Sequence, residues 1–172
     1  YRFADAIVAP SPAVKDQIFD LMEEFGIAQD EVGDKIKVIT SGIDDGMLIS
    51  KEKILEKLHG HPKSGGILNV ILLSRIDPSK GIQFAIEGLE KAAVEGNTRI
   101  SLWIVGRVSV DSYLDLLKEL AGRSTINIEF HIDVSEERKL ELLDIAQVYI
   151  LPTLQDTFGI TIVEAGARGN II

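Results

Sequence analysis

An open α/β fold, with a parallel sheet flanked by helices, is predicted by two patterns in the sequence after residue 66. Four short apolar runs, at residues 67–73, 100–105, 126–130 and 148–151, alternate with stretches whose apolar residues recur at helical spacing. Three of the runs are almost continuously apolar, as strands buried on both faces of a parallel sheet are. Such alternation implies right-handed strand–helix–strand crossovers. Ligands of these sheets bind beyond the carboxyl ends of the strands.

Each element has its own signal. Residues 3–9 read as a short strand. Ser11-Pro12 starts a helix, because Ser can cap the first N–H groups and Pro suits the first helical position. Val14, Ile18, Leu21, Met22 and Phe25 follow at helical spacing, and Gly26 closes the helix. Residues 37–39 are a second short strand, and residues 41–46 (Ser-Gly-Ile-Asp-Asp-Gly) a turn-rich connector. A short helix over 51–58 and a Gly/Pro/Ser stretch over 59–66 lead into the regular pattern. There, Ile82, Ala85, Ile86 and Leu89 form one helical stripe; Leu114, Leu117, Leu120 and Ala121 form the next. A third helix starts at Ser135 and carries Leu140 and Leu143. The fourth strand turns through Pro152 into a helix opening near Phe158-Gly159.

Composition sets the limits. A chain of 172 residues is enough for one sizeable domain, or one domain with an appendage. No apolar run approaches the roughly 20 residues that span a bilayer. No signal-like stretch opens the chain. Without cysteine there can be no disulfide or thiolate metal site. A net charge of −9 argues against a general nucleic-acid binder, which needs a basic face. The chain starts at Tyr1 and stops as a strand begins, so it is expected to be cut at both ends from a longer protein.

Several residues invite a chemical reading. Arg75 and Lys80 flank a tight turn where a helix opens at Gly81, a natural clamp for phosphate. The competing reading is a solvated loop in which Arg75 pairs with Asp77. Gly106 ends the second strand and would let a ligand approach the backbone. Neither a G-x-G-x-x-G stretch nor a Walker-type P-loop is present, so a dinucleotide cofactor lacks its fingerprint. His131 and Ile132 read as a loop beyond the third strand that could meet a nucleobase through its backbone. His59 and His61 lack a third ligand, so no metal site is expected. Trp103 reads as core, and Glu23-Glu24 and Glu136-Glu137 as solvated helix faces.

The segment from 149 to 167 is the most informative. Asp156 precedes its helix and Glu164 lies on the second turn, eight positions on. A helix start offers unpaired N–H groups and a positive dipole end to an anion such as a diphosphate. The carboxylates can accept hydrogen bonds from sugar and ribose hydroxyls. Together they describe a pocket for a nucleotide-linked sugar. The competing reading makes Thr161 and Glu164 a capping box and Asp156 an ordinary turn residue.

These stretches match a known family in order. Residues 4–11 (Ala-Asp-Ala-Ile-Val-Ala-Pro-Ser), 42–44 (Gly-Ile-Asp), 75–81 (Arg-Ile-Asp-Pro-Ser-Lys-Gly), 102–106 (Leu-Trp-Ile-Val-Gly) and 151–165 carry the match. The chain resembles glycosyltransferase family 4 (group 1), retaining enzymes of the GT-B fold. The resemblance implies two Rossmann-like domains, and that residues 1–44 are the end of the N-terminal acceptor domain with the interdomain connector. Residues 45–172 would be the donor-binding domain, incomplete at its C-terminus.

By position, the resemblance implies that Arg75 and Lys80 neutralise the leaving diphosphate and that Glu164 binds the ribose. It places Asp156 near the donor sugar. Phe158, Gly159, Ile160 and Thr161 form the turn that presents N–H groups beside sugar and phosphate, His131 and Ile132 lie in the loop beside the base, and Gly106 is counted with the donor-binding residues. The donor would be a nucleotide sugar such as a UDP- or GDP-sugar. The acceptor would be a saccharide or a lipid-linked molecule, held by the absent N-terminal part. No cofactor and no metal are implied. The location implied is cytoplasmic, with peripheral contact to the inner membrane face through that N-terminal part. Departures from the pattern are Asp156 for a usual Glu, Arg107 for an acidic residue, Ile132 for Gly, Gln147 for Asp and Gly166 for Met. The alternative function is a non-catalytic nucleotide- or phosphosugar-binding module on the same scaffold.

Overall fold

The computed structural model describes residues 3–60, 66–154 and 156–172, and its contacts divide the chain into two compact units. One comprises Tyr1–Gly42 with Asp156–Ile160, the other Ile43–Gln155 with Thr161–Ile172.

In the smaller unit, strand β1 (Ile7–Ala9) pairs in parallel with β2 (Ile36–Val38). Helix α1 (Pro12–Glu24) connects them, followed by the short α2 (Gln29–Val32). Ser11 caps α1 by accepting the Val14 N–H, with Pro12 at the first helical position, as its sequence requires. Gly26 then takes a left-handed φ of 67°. Ala9, Met22, Val32 and Ile36 form the core of this unit. The expected strand over 3–9 shrinks to three residues because β2 offers only three partners; Phe3 is fully exposed.

In the larger unit, helix α3 (Lys51–His59) precedes a four-stranded parallel sheet. The strands are β3 (Ile67–Leu73), β4 (Arg99–Gly106), β5 (Asn127–Ile132) and β6 (Val148–Tyr149), in the order β5-β4-β3-β6. Helices α4 (Ile82–Glu95) and α5 (Asp111–Arg123) make the first two crossovers, and α6 (Glu136–Ile145) the third. Helix α7 (Ile160–Ala167) follows β6. The continuous apolar runs are explained by burial on both faces. Val70, Leu72, Leu102 and Ile104 pack with Ile82, Ile86 and Leu117 on one side. Ile71, Val105 and Tyr149 pack with Leu142, Leu143 and Ala165 on the other. This is the fold class the sequence predicts, a parallel sheet flanked by helices as in GT-B enzymes.

Two boundaries differ where the function is concerned. β5 runs on through His131 and Ile132, which pair with Val105 and Gly106, so these residues are strand and not loop. β6 stops at Tyr149, although the Ile150 N–H still donates to the Ile71 carbonyl. His59 is the last residue of α3, and His61 lies outside the described residues. No helix among the described residues is long and apolar enough to cross a membrane.

Candidate functional site

The exit of β3 is built by a short chain of local causes. The Asp77 carboxylate accepts the Ser79 N–H (2.9 Å) and the Ser79 hydroxyl (2.6 Å), which shapes the 3-10 turn Pro78–Lys80. Those two bonds hold the Asp77 carboxyl below its ordinary range, with Arg75 and Lys80 adding to the effect. Gly81 follows with φ 64°, and a Cβ there would lie 2.2 Å from the Pro152 carbonyl oxygen. Only glycine satisfies both the left-handed backbone and the close approach. The Leu154 N–H donates to the Ser79 carbonyl (2.9 Å), so the turn is tied to the chain leaving β6. Lys80 is buried at 9% exposure, its Nζ 3.5 Å from Thr153 Oγ1. Arg75 is exposed and, among the described residues, forms no ion pair with Asp77. The turn is internally bonded with Lys80 buried, while Arg75 stays in solvent and acts on the Asp77 carboxylate only through its charge.

The exits of β3, β4 and β5 are stitched together. The Ile76 N–H donates to the Arg107 carbonyl (2.8 Å), and the Asp133 N–H to the Gly106 carbonyl (3.2 Å). A Cβ on Gly106 would lie 1.8 Å from the Ser74 carbonyl oxygen. The close approach that demands glycine at this position comes from the β3 backbone. His131 lies in β5 and not in a loop. Its ring meets Trp103 edge-on at 6.3 Å between centroids, and its Nε2 lies 3.6 Å from the Glu129 carboxylate. The loop beyond β5 begins only at Asp133, which has φ 49°.

Around α7, Thr161 Oγ1 and the buried Tyr149 hydroxyl are 2.6 Å apart. Glu164 Oε1 accepts from Lys139 Nζ at 3.1 Å, and Lys139 also meets Glu136 at 2.6 Å. Burial alone would lower the Lys139 ammonium, but the two carboxylates outweigh it and hold it above its ordinary value. Because α7 opens at Ile160, Thr161 cannot be its N-cap, and the expected alternative of a Thr161–Glu164 capping box does not form.

In the smaller unit, Asp156 Oδ1 accepts the N–H groups of Phe158 (3.2 Å) and Gly159 (2.8 Å). Gly159 has φ 74°, and the Ser11 hydroxyl donates to the Thr157 carbonyl (2.9 Å). Asp156 is thus a turn residue here, and it engages N–H groups that the sequence reading gave to the donor. Ile160 begins α7 directly after this turn.

A cavity of about 590 Å³ opens in the larger unit, but at the amino ends of β3, β4 and β5, beside Ile67, Ser101 and Asn127. It lies at the wrong end of the sheet for the residues above. Ligands of parallel sheets bind beyond the carboxyl ends of the strands, so the strand exits form the floor of the candidate site.

Comparison with known proteins decides the family. Residues 56–172, more than half of the chain, match the model of the glycosyl transferases group 1. The chain belongs to this family. It is 25% identical over 171 residues to a probable sucrose-phosphate synthase of Thermosipho melanesiensis, covering 96% of this chain and 38% of that protein. It is 24% identical to the mannosylfructose-phosphate synthase of Agrobacterium fabrum, covering 99% of this chain and 37% of that one. Among solved structures, Anabaena Alr3699/HepE in complex with UDP and glucose is similar at a TM-score of 0.71 and 21% identity. That match covers 98% of this chain and 44% of the Anabaena chain. The chain thus spans well under half the length of these relatives.

In this member of the family, sequence reasoning missed Lys139 and Tyr149. Lys139 looks like an ordinary surface partner of Glu136 at i+3, and its second partner is 25 residues away. Tyr149 reads as one more apolar strand residue, yet its hydroxyl fixes Thr161. Lys57 was missed as well. Its Nζ donates to the carbonyls of Leu143 (2.5 Å) and Arg168 (2.9 Å), and Arg168 in turn pairs with Asp144. No group of three potential metal ligands occurs among the described residues.

Proposed function

We propose that this chain is the donor-binding part of a retaining glycosyl transferase, which moves a sugar from a nucleoside diphosphate to an acceptor hydroxyl. The observation that carries the reading is the pair of cations on the turn between β3 and α4. Lys80 is buried and Arg75 exposed, at the carboxyl end of a parallel strand and the start of a helix. When the bond between the sugar and the diphosphate breaks, the electron pair stays on the phosphate oxygen. The fixed cations and the positive end of α4 meet that charge without reorganising. The reading requires no bound metal, because these groups do the neutralising.

Other roles follow from position. Glu164, on α7, is assigned to the ribose hydroxyls. Asp156 sets the Phe158–Gly159 turn that leads into Ile160 and Thr161. Gly106 and Ile132 mark the strand ends on the base side, while the His131 ring is turned onto Trp103 and is not given to the base. The UDP and glucose held by the Anabaena protein support a nucleotide-sugar donor. The acceptor, a saccharide or lipid-linked saccharide, would be bound by residues outside these 172.

The test is turnover of the full-length enzyme. Loss of one well-placed stabilising group costs about 10²–10³ in turnover. Arg75→Ala and Lys80→Ala should each lower it by that order with the fold kept. The double variant should fall short of the product of the two losses, because both cations act on one diphosphate. Near-normal turnover of Lys80→Ala at saturating donor would refute the reading. It would favour the second one, a binding module without transfer, for which one observation speaks: the Asp156 carboxylate is engaged by its own turn.

A further inference from the structure

In the Glu136–Lys139–Glu164 triad, only Glu164 has a role in the chemistry above. It joins α6 to α7 with one ammonium between two carboxylates, at 2.6 and 3.1 Å. The Lys139 and Glu164 side chains are only 16% and 17% exposed, while Glu136 is largely in solvent. A mostly buried ion pair is a poor source of stability, since desolvating the charges offsets much of their attraction. An apolar contact would join the helices as well.

What the triad does supply is orientation and sign. Lys139 engages Oε1 of Glu164, and among the described residues no hydrogen bond reaches Oε2. Two carboxylates against one ammonium leave a net negative charge, which repels phosphate and suits hydroxyl donors. The Thr161–Tyr149 bond anchors the preceding turn of the same helix, so α7 is held one turn before Glu164 as well as at Glu164 itself.

We propose that Lys139 is a positioning residue for donor recognition. It holds Oε1 of Glu164 so that Oε2 faces the ribose hydroxyls of a nucleoside diphosphate. The proposal rests on the assignment of Glu164 to the ribose, and the experiment is chosen to separate the two.

Lys139→Met, Lys139→Arg, Glu164→Gln and the Lys139→Met/Glu164→Gln pair are compared with wild type by calorimetry. The probes are UDP, GDP and ADP, each beside its 2′-deoxy form, and thermal midpoints are recorded in parallel. Wild type should prefer the ribose form by roughly tenfold, the worth of a hydrogen bond to a charged group. Lys139→Met should cut that preference by about threefold to tenfold, leaving affinity for the deoxy form unchanged. Lys139→Arg should restore it. The double variant should discriminate no worse than Glu164→Gln, because Lys139 acts through Glu164. If Lys139→Met lowers the midpoint yet keeps the ribose preference, Lys139 is only a strut and the proposal fails alone. If wild type shows no ribose preference, or binds none of the three, the assignment of Glu164 fails with it.

Discussion

Gly81 shows how far one residue without a side chain can decide a site. It must adopt φ 64° and admit the Pro152 carbonyl at a distance that any Cβ would violate. Gly81→Ala should therefore destabilise the larger unit by about 1–3 kcal/mol through backbone strain. It should also displace Lys80, its immediate neighbour. Urea unfolding and nucleotide affinity should fall together; an alanine variant with wild-type stability would show that the turn is looser than its geometry implies. Asp156 works the other way, through what its side chain accepts. Its carboxylate caps two N–H groups ahead of α7, so Asp156→Ala should cost about 0.5–2 kcal/mol, the usual worth of such a cap. Asp156→Asn should recover most of it, because the amide oxygen can accept the same bonds. Equal losses for Ala and Asn in thermal melts would mean that charge, not capping, is what the position supplies.

Elements were legible in proportion to how much of their pattern is local. β3 and β4 could be read because burial on both faces leaves continuous apolar runs. The end of β5 could not. Asn127, Glu129 and His131 alternate along a sheet edge, and a polar alternation ending in His looks like a loop. The Arg75–Lys80 turn was legible from Pro78 and Gly81, but the burial of Lys80 depends on Thr153, 73 residues away. The same holds for α3, whose amphipathic sequence does not reveal where its cation goes. Lys57 lies against carbonyls of α6 and the end of α7, and burial pushes its ammonium down to about 8, with Asp144 opposing and Arg168 assisting. The unfolded chain has the ordinary value of 10.5 and so holds a proton that the folded chain releases between these limits. The cost is complete below pH 8, and stability should rise with pH from about 8 to 10.5. Lys57→Met should lack this rise. Urea midpoints at pH 7 and pH 9.5 should move toward stability in wild type relative to the variant; parallel profiles would show that Lys57 stays charged in the fold.

At the scale of the whole molecule, the two units and the share of each relative they cover bear on what the 172 residues can do alone. The chain carries net charge −9, so in the proposed function the attraction for a diphosphate comes from local cations, the positive end of α4 and aligned N–H groups, not from the overall field. Arg75, Lys80 and Glu164 all belong to the larger unit, which has its own two-sided core. Donor recognition should therefore survive in this chain by itself. Transfer is different in kind. It needs the acceptor hydroxyl held against the sugar, which is worth about 7–11 kcal/mol of barrier when geometry is right, and it needs water kept out. Known relatives reach that state with chains of which this one covers 37–44%. The 172 residues alone are thus expected to bind a nucleoside diphosphate with measurable heat and to form no glycoside. Incubation with UDP-, GDP- and ADP-glucose and a panel of saccharide acceptors, followed by mass detection of products, would decide it. Any transfer product from the purified chain would place a complete active site within these residues.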